Sequence, residues 1–194
     1  MAKPVVDPNH PTSPMKHMVI RTINTYIYTI LISLVPLVIG TRFFEERGAQ
    51  LLTTVVGMLV LFALTYSVFW GTAERDRNLV IYGHLKENKL RGLQGALLGM
   101  IPLAILVVLV VINAYLPFFP TWLTVVSRIL LLPFSFFVRT AGDTPSAFSW
   151  LLILVCGWSP FAAWYGYHNG YSLIRLMDKL IYKQKPRNKD KRLR

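Results

Sequence analysis

Four histidines, one cysteine, nine carboxylates and 21 lysines and arginines are the groups with which this 194-residue chain could do chemistry. The histidines His10, His17, His84 and His168 are scattered, whereas a zinc site needs closely spaced ligand pairs. His84 and Glu87 are three apart and could share a helix face, but no second pair completes them. Gly157-Trp-Ser-Pro begins like a nucleophile elbow, yet Phe161 stands where that turn requires a second glycine. No glycine-rich phosphate loop is present, and Cys156 is alone and cannot close an internal disulfide. The sequence therefore predicts no catalytic residue, no cofactor and no metal site.

Two helical faces are richer in polar groups. His17, Arg21, Asn24 and Tyr28 are spaced four, three and four apart, and so are Trp164, His168, Tyr171 and Arg175; each set falls on one side of a helix. Trp70 with Glu74, and Arg91 with Gln94, sit at the ends of two further apolar runs. Converged, these residues would make a cationic, aromatic mouth able to take an anionic lipid head group or the phosphate of a lipid-linked substrate. An ordinary inner-boundary belt of aromatic and snorkelling basic residues is the simpler account. Two glycine pairs, Gly95 with Gly99 and Gly166 with Gly170, let helix backbones approach closely. Packing within the chain explains them more simply than an oligomer seam, and either way the third and fourth apolar runs should touch near their inner ends.

The elements that would hold these groups are membrane spans. Hydrophobic residues make up 54% and charged ones only 15% of the chain, and mean hydropathy is +0.46, outside the range of soluble domains. A hydrocarbon core about 30 Å thick needs roughly 20 apolar residues in a helix. Residues 19–39, 51–70, 93–116 and 148–167 meet that requirement. Residues 122–138 differ: Trp122, Val125, Val126, Ile129, Pro133, Phe136 and Phe137 make an apolar face, Thr124, Arg128, Ser135 and Arg139 a polar one, and Leu131 is the exception. That pattern fits an outer interfacial or re-entrant helix, and Pro133 should kink or break it. Proline also falls inside spans at Pro36, Pro102 and Pro160, with a kink expected over 156–160. The expected fold is an all-α integral membrane protein, a four-transmembrane-helix bundle with this additional amphipathic helix.

Charge then orients the chain. With both ends inside, 17 of the 21 basic residues are cytoplasmic; a fifth span would export the nine that follow residue 174. Residues 1–18, with four prolines, read as a flexible cytoplasmic tail, 19–182 as the membrane domain with its last helix running to about Tyr182, and 183–194 as a disordered basic tail. Glu74 to Arg77 reads as a solvated helix end, and all nine acids fall outside the hydrocarbon, which disfavours a proton relay or carboxylate pore. The net charge of +12 calls for anionic lipid rather than nucleic acid, for which no base-stacking element is present. The expected role is a non-enzymatic accessory, scaffold or regulatory subunit of a membrane complex, with a protein partner or a homo-oligomer. A solute or lipid carrier using the inner mouth is the alternative, and an intramembrane lipid-phosphate enzyme the weaker one. A bacterial plasma membrane is the expected location.

Overall fold

The computed structural model describes residues 14–116, 120–143 and 156–173, and every regular element in them is helical. In chain order these are α1 (Pro14–Phe43), α2 (Glu46–Ile81), α3 (Arg91–Tyr115), α4 (Thr121–Leu130), a single 3₁₀ turn (Leu132–Phe134), α5 (Ser135–Asp143) and α6 (Trp158–Tyr171). Three helical stretches, Met15–Phe43, Glu46–Ile81 and Arg91–Asn113, are long and apolar enough to cross a membrane. The outer part of the expected fourth span lies outside the described residues, as do most of residues 1–18 and all of 183–194.

Helix α1 packs on α2 and α3, and α6 packs on the same two, so α1 and α6 stand across the bundle from one another. Small residues set the spacing. Thr22, Thr25, Thr29 and Ser33 form a buried stripe on α1, and Ala49, Thr53, Gly57, Leu61 and Thr65 form one on α2. The hydroxyls of Thr22, Thr25, Thr29 and Thr53 donate to the carbonyl four residues earlier, at 2.8–3.0 Å. These side chains satisfy themselves locally and present methyl groups to the neighbouring helix, which suits packing where lipid supplies no hydrophobic drive. Pro36 and Pro102 both sit within continuous helices.

Four expectations need correction. Helix α1 begins at Pro14, not beyond residue 18: proline is well suited to a first helical position, and Met18, 1% exposed, is anchored against Gly95. Helix α2 runs on to Ile81, eleven residues past the expected end of its span at 70, and only 82–90 connects α2 to α3. The 74–77 string is not a solvated end, because Asp76 is 5% exposed. Helix α6 stops at Tyr171 rather than near Tyr182. Leu173, at φ +54°, takes the left-handed conformation that ends helices, and the Ser172 and Leu173 amides close on the His168 and Gly170 carbonyls. Arg175 lies outside the described residues.

The stretch containing Pro133 is bent by 81° between α4 and α5. Leu131 and Phe134 at the elbow are 0% exposed and pack with Tyr26, Leu61, Leu103 and Val107 into the main core. The elbow rests on α2, where a Cβ at Gly57 would lie 2.9 Å from Pro133 Cα. Gly57 is eleven residues into α2, roughly 16 Å along its axis from Glu46. Helix α4 begins a few residues after the end of α3 and runs to the elbow, and α5 leads back along α2 to its start, where Arg139 pairs with Glu46. Polar groups exposed by the break find partners: Tyr26 donates to the Leu130 carbonyl at 2.8 Å, and the Phe136 amide donates to Thr54 at 3.0 Å. Irregular backbone within an apolar bundle is tolerated when it is enclosed by protein in this way.

Candidate functional site

Polar side chains from all four long elements meet at the end of the bundle where α1 starts, α2 ends, α3 starts and α6 ends. Asp76 is at its centre. One carboxylate oxygen accepts from Arg91 Nη1 at 3.2 Å and from the Tyr167 hydroxyl at 3.0 Å, joining α2, α3 and α6. The Asp76 and Arg91 side chains are only 7% and 11% exposed, so the pair is shielded, and Arg91 Nη2 also donates to the Lys86 carbonyl at 2.8 Å. Beside it, Gly92 leaves room for Tyr167, whose ring carbon would lie 2.6 Å from a Cβ there. Helix α1 joins through Arg21, which donates to Thr72 Oγ1 at 2.6 Å.

Of the twelve side chains expected at an inner mouth, the eleven among the described residues fall into separate groups. Arg21, Asn24 and Tyr28 line a groove of about 390 Å³ between α1 and α2, together with Thr25, Leu64 and Val68. Arg91 belongs to the Asp76 knot. Gln94 is exposed and accepts from Asn88 at 3.2 Å. Trp164 and His168 stack on each other on the exposed side of α6, with ring centres 6.0 Å apart, while Tyr171 stacks on Tyr167 at 6.4 Å. The Tyr171 phenol is raised above its ordinary value, by desolvation first and then by the charge of Glu87. His17, Trp70 and Glu74 are half-buried on α1 and α2. Because α1 and α6 face each other only across the bundle, the Arg21 set and the Trp164 set line different surfaces.

The glycine pairs each serve a different neighbour. Gly95 and Gly99 fit against Met18 and Thr22 of α1, and Gly166 and Gly170 fit against the Tyr66 and Trp70 backbones of α2. Helices α3 and α6 do meet, but through Gly92 and Tyr167 rather than through these pairs.

Two features go beyond what the sequence patterns suggest. One is the pairing of Asp76 with Tyr167. The other is an aromatic face shared by α2 and α6. Phe62 stands 5.6 Å from Trp158 and 6.2 Å from Tyr66; Tyr66 stands 5.8 Å from Tyr165; and Phe161 lies 6.2 Å from each of Trp158, Tyr165 and Trp164. Phe161 is 47% exposed at its centre, and Trp158 is fixed by its indole N–H on the Met58 carbonyl at 3.1 Å. A second cavity, about 420 Å³, opens between α1 and α3 and is lined by aliphatic side chains and Tyr26. Among the described residues no three of His, Cys, Asp and Glu gather closely enough to hold a metal ion. Comparison with protein-family models, with curated proteins and with solved structures gave no match.

Proposed function

We propose that this chain is a four-crossing membrane protein with a re-entrant hairpin formed by α4 and α5, acting as a non-enzymatic accessory or scaffold subunit. In this reading α6 is the inner half of the fourth crossing. The hairpin enters from the outer face, and both chain ends lie in the cytoplasm of a bacterial plasma membrane. Charge supports the orientation: the bundle end carrying Arg21, Arg75, Arg77, Lys86, Lys89 and Arg91 is the more basic one. The opposite end carries three, Arg42, Arg47 and Arg139, the last paired with Glu46.

The observation that carries the functional reading is the aromatic face of α2 and α6. Rigid aromatic side chains are enriched where proteins bind one another, because they contribute large contact area at little entropic cost. Here six rings are ordered by mutual contact, with Phe161 and Trp164 exposed and the other four half-buried behind them, on α2 and on α6, whose glycines hold it tightly to α2. This suits a transmembrane helix of a partner protein. The bundle axis, by contrast, is filled by Leu61, Leu103, Val107, Leu131 and Phe134 and closed at one end by the Asp76 knot, which weighs against a carrier.

A photo-crosslinking amino acid placed at Phe161, and separately at Ile105 on the exposed side of α3, tests this in native membranes. The reading predicts a discrete protein adduct from position 161 and none from 105. Equal yields at both positions, or recovery of bare monomer in mild detergent with no adduct at 161, would overturn it.

A further inference from the structure

The groove between α1 and α2 joins one cation to an apolar wall. Arg21, Asn24, Thr25 and Tyr28 recur at helical spacing on α1, and Leu64 and Val68 face them from α2. Arg21 is half-buried and is held by one edge: the Thr72 hydroxyl sends its own proton to the Val68 carbonyl at 2.8 Å, leaving its oxygen to accept from the guanidinium. A guanidinium has several more donors than one hydroxyl can engage. Asp76, whose charge acts on Arg21, is committed to Arg91 and Tyr167, and Arg75 adds repulsion. Among the described residues Arg21 makes no ion pair. Its anchored fork therefore faces a groove in which positive charge exceeds negative.

The other lining groups are graded. Thr25 is occupied with the Arg21 carbonyl at 2.8 Å. Asn24 is exposed and Tyr28 is 60% exposed, and both are polar residues that line the groove. From Arg21 to Tyr28 the groove runs roughly 10 Å along the helix axis towards mid-depth. Leu64 lies at the deeper end, opposite Tyr28, because the antiparallel pairing that sets Arg21 beside Thr72 sets lower-numbered α2 residues progressively deeper. Charge at the shallow end, amide and phenol next, and aliphatic wall beyond match an amphiphile in order.

We propose that this groove is a binding site for an anionic phospholipid, with its phosphate on Arg21, its glycerol region beside Asn24 and Tyr28, and an acyl chain along Val68 and Leu64. The proposal rests on the bilayer placement above but needs no protein partner. It also separates Arg21, Asn24 and Tyr28 from Trp164 and His168, which have no part in this site.

The test uses the full chain, purified in mild detergent and delipidated, with native mass spectrometry read against added phosphatidylglycerol and against phosphatidylcholine of the same chains. One phosphatidylglycerol should bind in preference to phosphatidylcholine. Arg21→Gln should weaken it about tenfold, the loss expected from removing a charge-assisted hydrogen bond. Arg42→Gln, an exposed arginine at the opposite end, should leave it unchanged. Asn24→Leu and Leu64→Trp keep Arg21 and decide the matter if Arg21→Gln does not fold; the first removes a polar contact and the second fills the lane, and both should weaken binding. Inorganic phosphate at millimolar concentration should not displace the lipid. Displacement by phosphate alone would make this a free-anion site and overturn the lipid assignment. Equal binding of the two lipids, or unchanged binding in Arg21→Gln, or in both other groove variants, would overturn the site itself.

Discussion

Asp76→Asn isolates the knot at the end of the bundle where α1 and α3 start. The substitution keeps the shape of the side chain and leaves an oxygen to accept from Tyr167, now 3.0 Å away, but removes the charge that faces Arg91 at 3.2 Å. Breaking a fully buried ion pair by neutralising one member costs about 3–5 kcal/mol, since the other charge is left stranded. Arg91 is 11% exposed and keeps its bond to the Lys86 carbonyl, so part of that penalty is relieved. The expected destabilisation is about 2–3 kcal/mol. Arg91→Met should cost a similar amount by stranding Asp76. The double variant should cost less than the sum, by about 2 kcal/mol, because an apolar or neutral pair leaves no uncompensated charge. Equilibrium unfolding in bicelles by steric trapping, run as a double-mutant cycle, reads this coupling directly. Additivity within about 0.5 kcal/mol would refute the knot as a coupled unit.

Gly170→Val should destabilise the protein by about 1–3 kcal/mol or more, since its Cβ would collide with the Trp70 backbone, which cannot yield as a side chain tip would; loss of folded protein on size-exclusion chromatography checks it. Tyr26→Phe keeps the stack on Phe134 at 6.5 Å but removes the donor to the Leu130 carbonyl, so a loss of about 1–3 kcal/mol is expected in the same unfolding assay. Gly57→Val should push the elbow off α2, because its Cβ would lie 2.9 Å from both Pro133 Cα and Ser33 Oγ; faster proteolysis between α4 and α5 would show the displacement. Trp158→Phe keeps an aromatic ring beside Phe62 while losing the bond to the Met58 carbonyl, and should cost about 1 kcal/mol with the aromatic face largely kept, as crosslinking from position 161 would report.

Uninterrupted apolar runs make three helices legible, because a length of about 20 residues free of charge has few other uses. The break at Pro133 is legible from proline chemistry, and Leu131, which spoils the amphipathic pattern, is the buried elbow. The tight approach of the glycine pairs is legible from their spacing, but not which helix each pair faces, since that is decided by packing between distant segments. Asp76 escapes the sequence pattern because alternating charges from Glu74 to Arg77 resemble a solvated end. A signal is nonetheless present: Leu61, Thr65, Phe69, Thr72 and Asp76 step by four, four, three and four, continuing one buried stripe beyond Trp70. The aromatic face combines residues nearly 100 positions apart, so no single helical pattern reveals it. The end of α6 carries neither glycine nor proline at Ser172 or Leu173, so no local signal marks it.

The threading of the chain is tested most directly by side-specific labelling of single cysteines in a Cys156→Ser background, using a maleimide that cannot cross the membrane. Lys16→Cys, Gly83→Cys and Leu173→Cys should react from one side, and Phe44→Cys, Trp122→Cys and Thr140→Cys from the other. Positions 122 and 140 reacting from opposite sides would make α4 and α5 a crossing rather than a re-entrant hairpin, and would contradict the account.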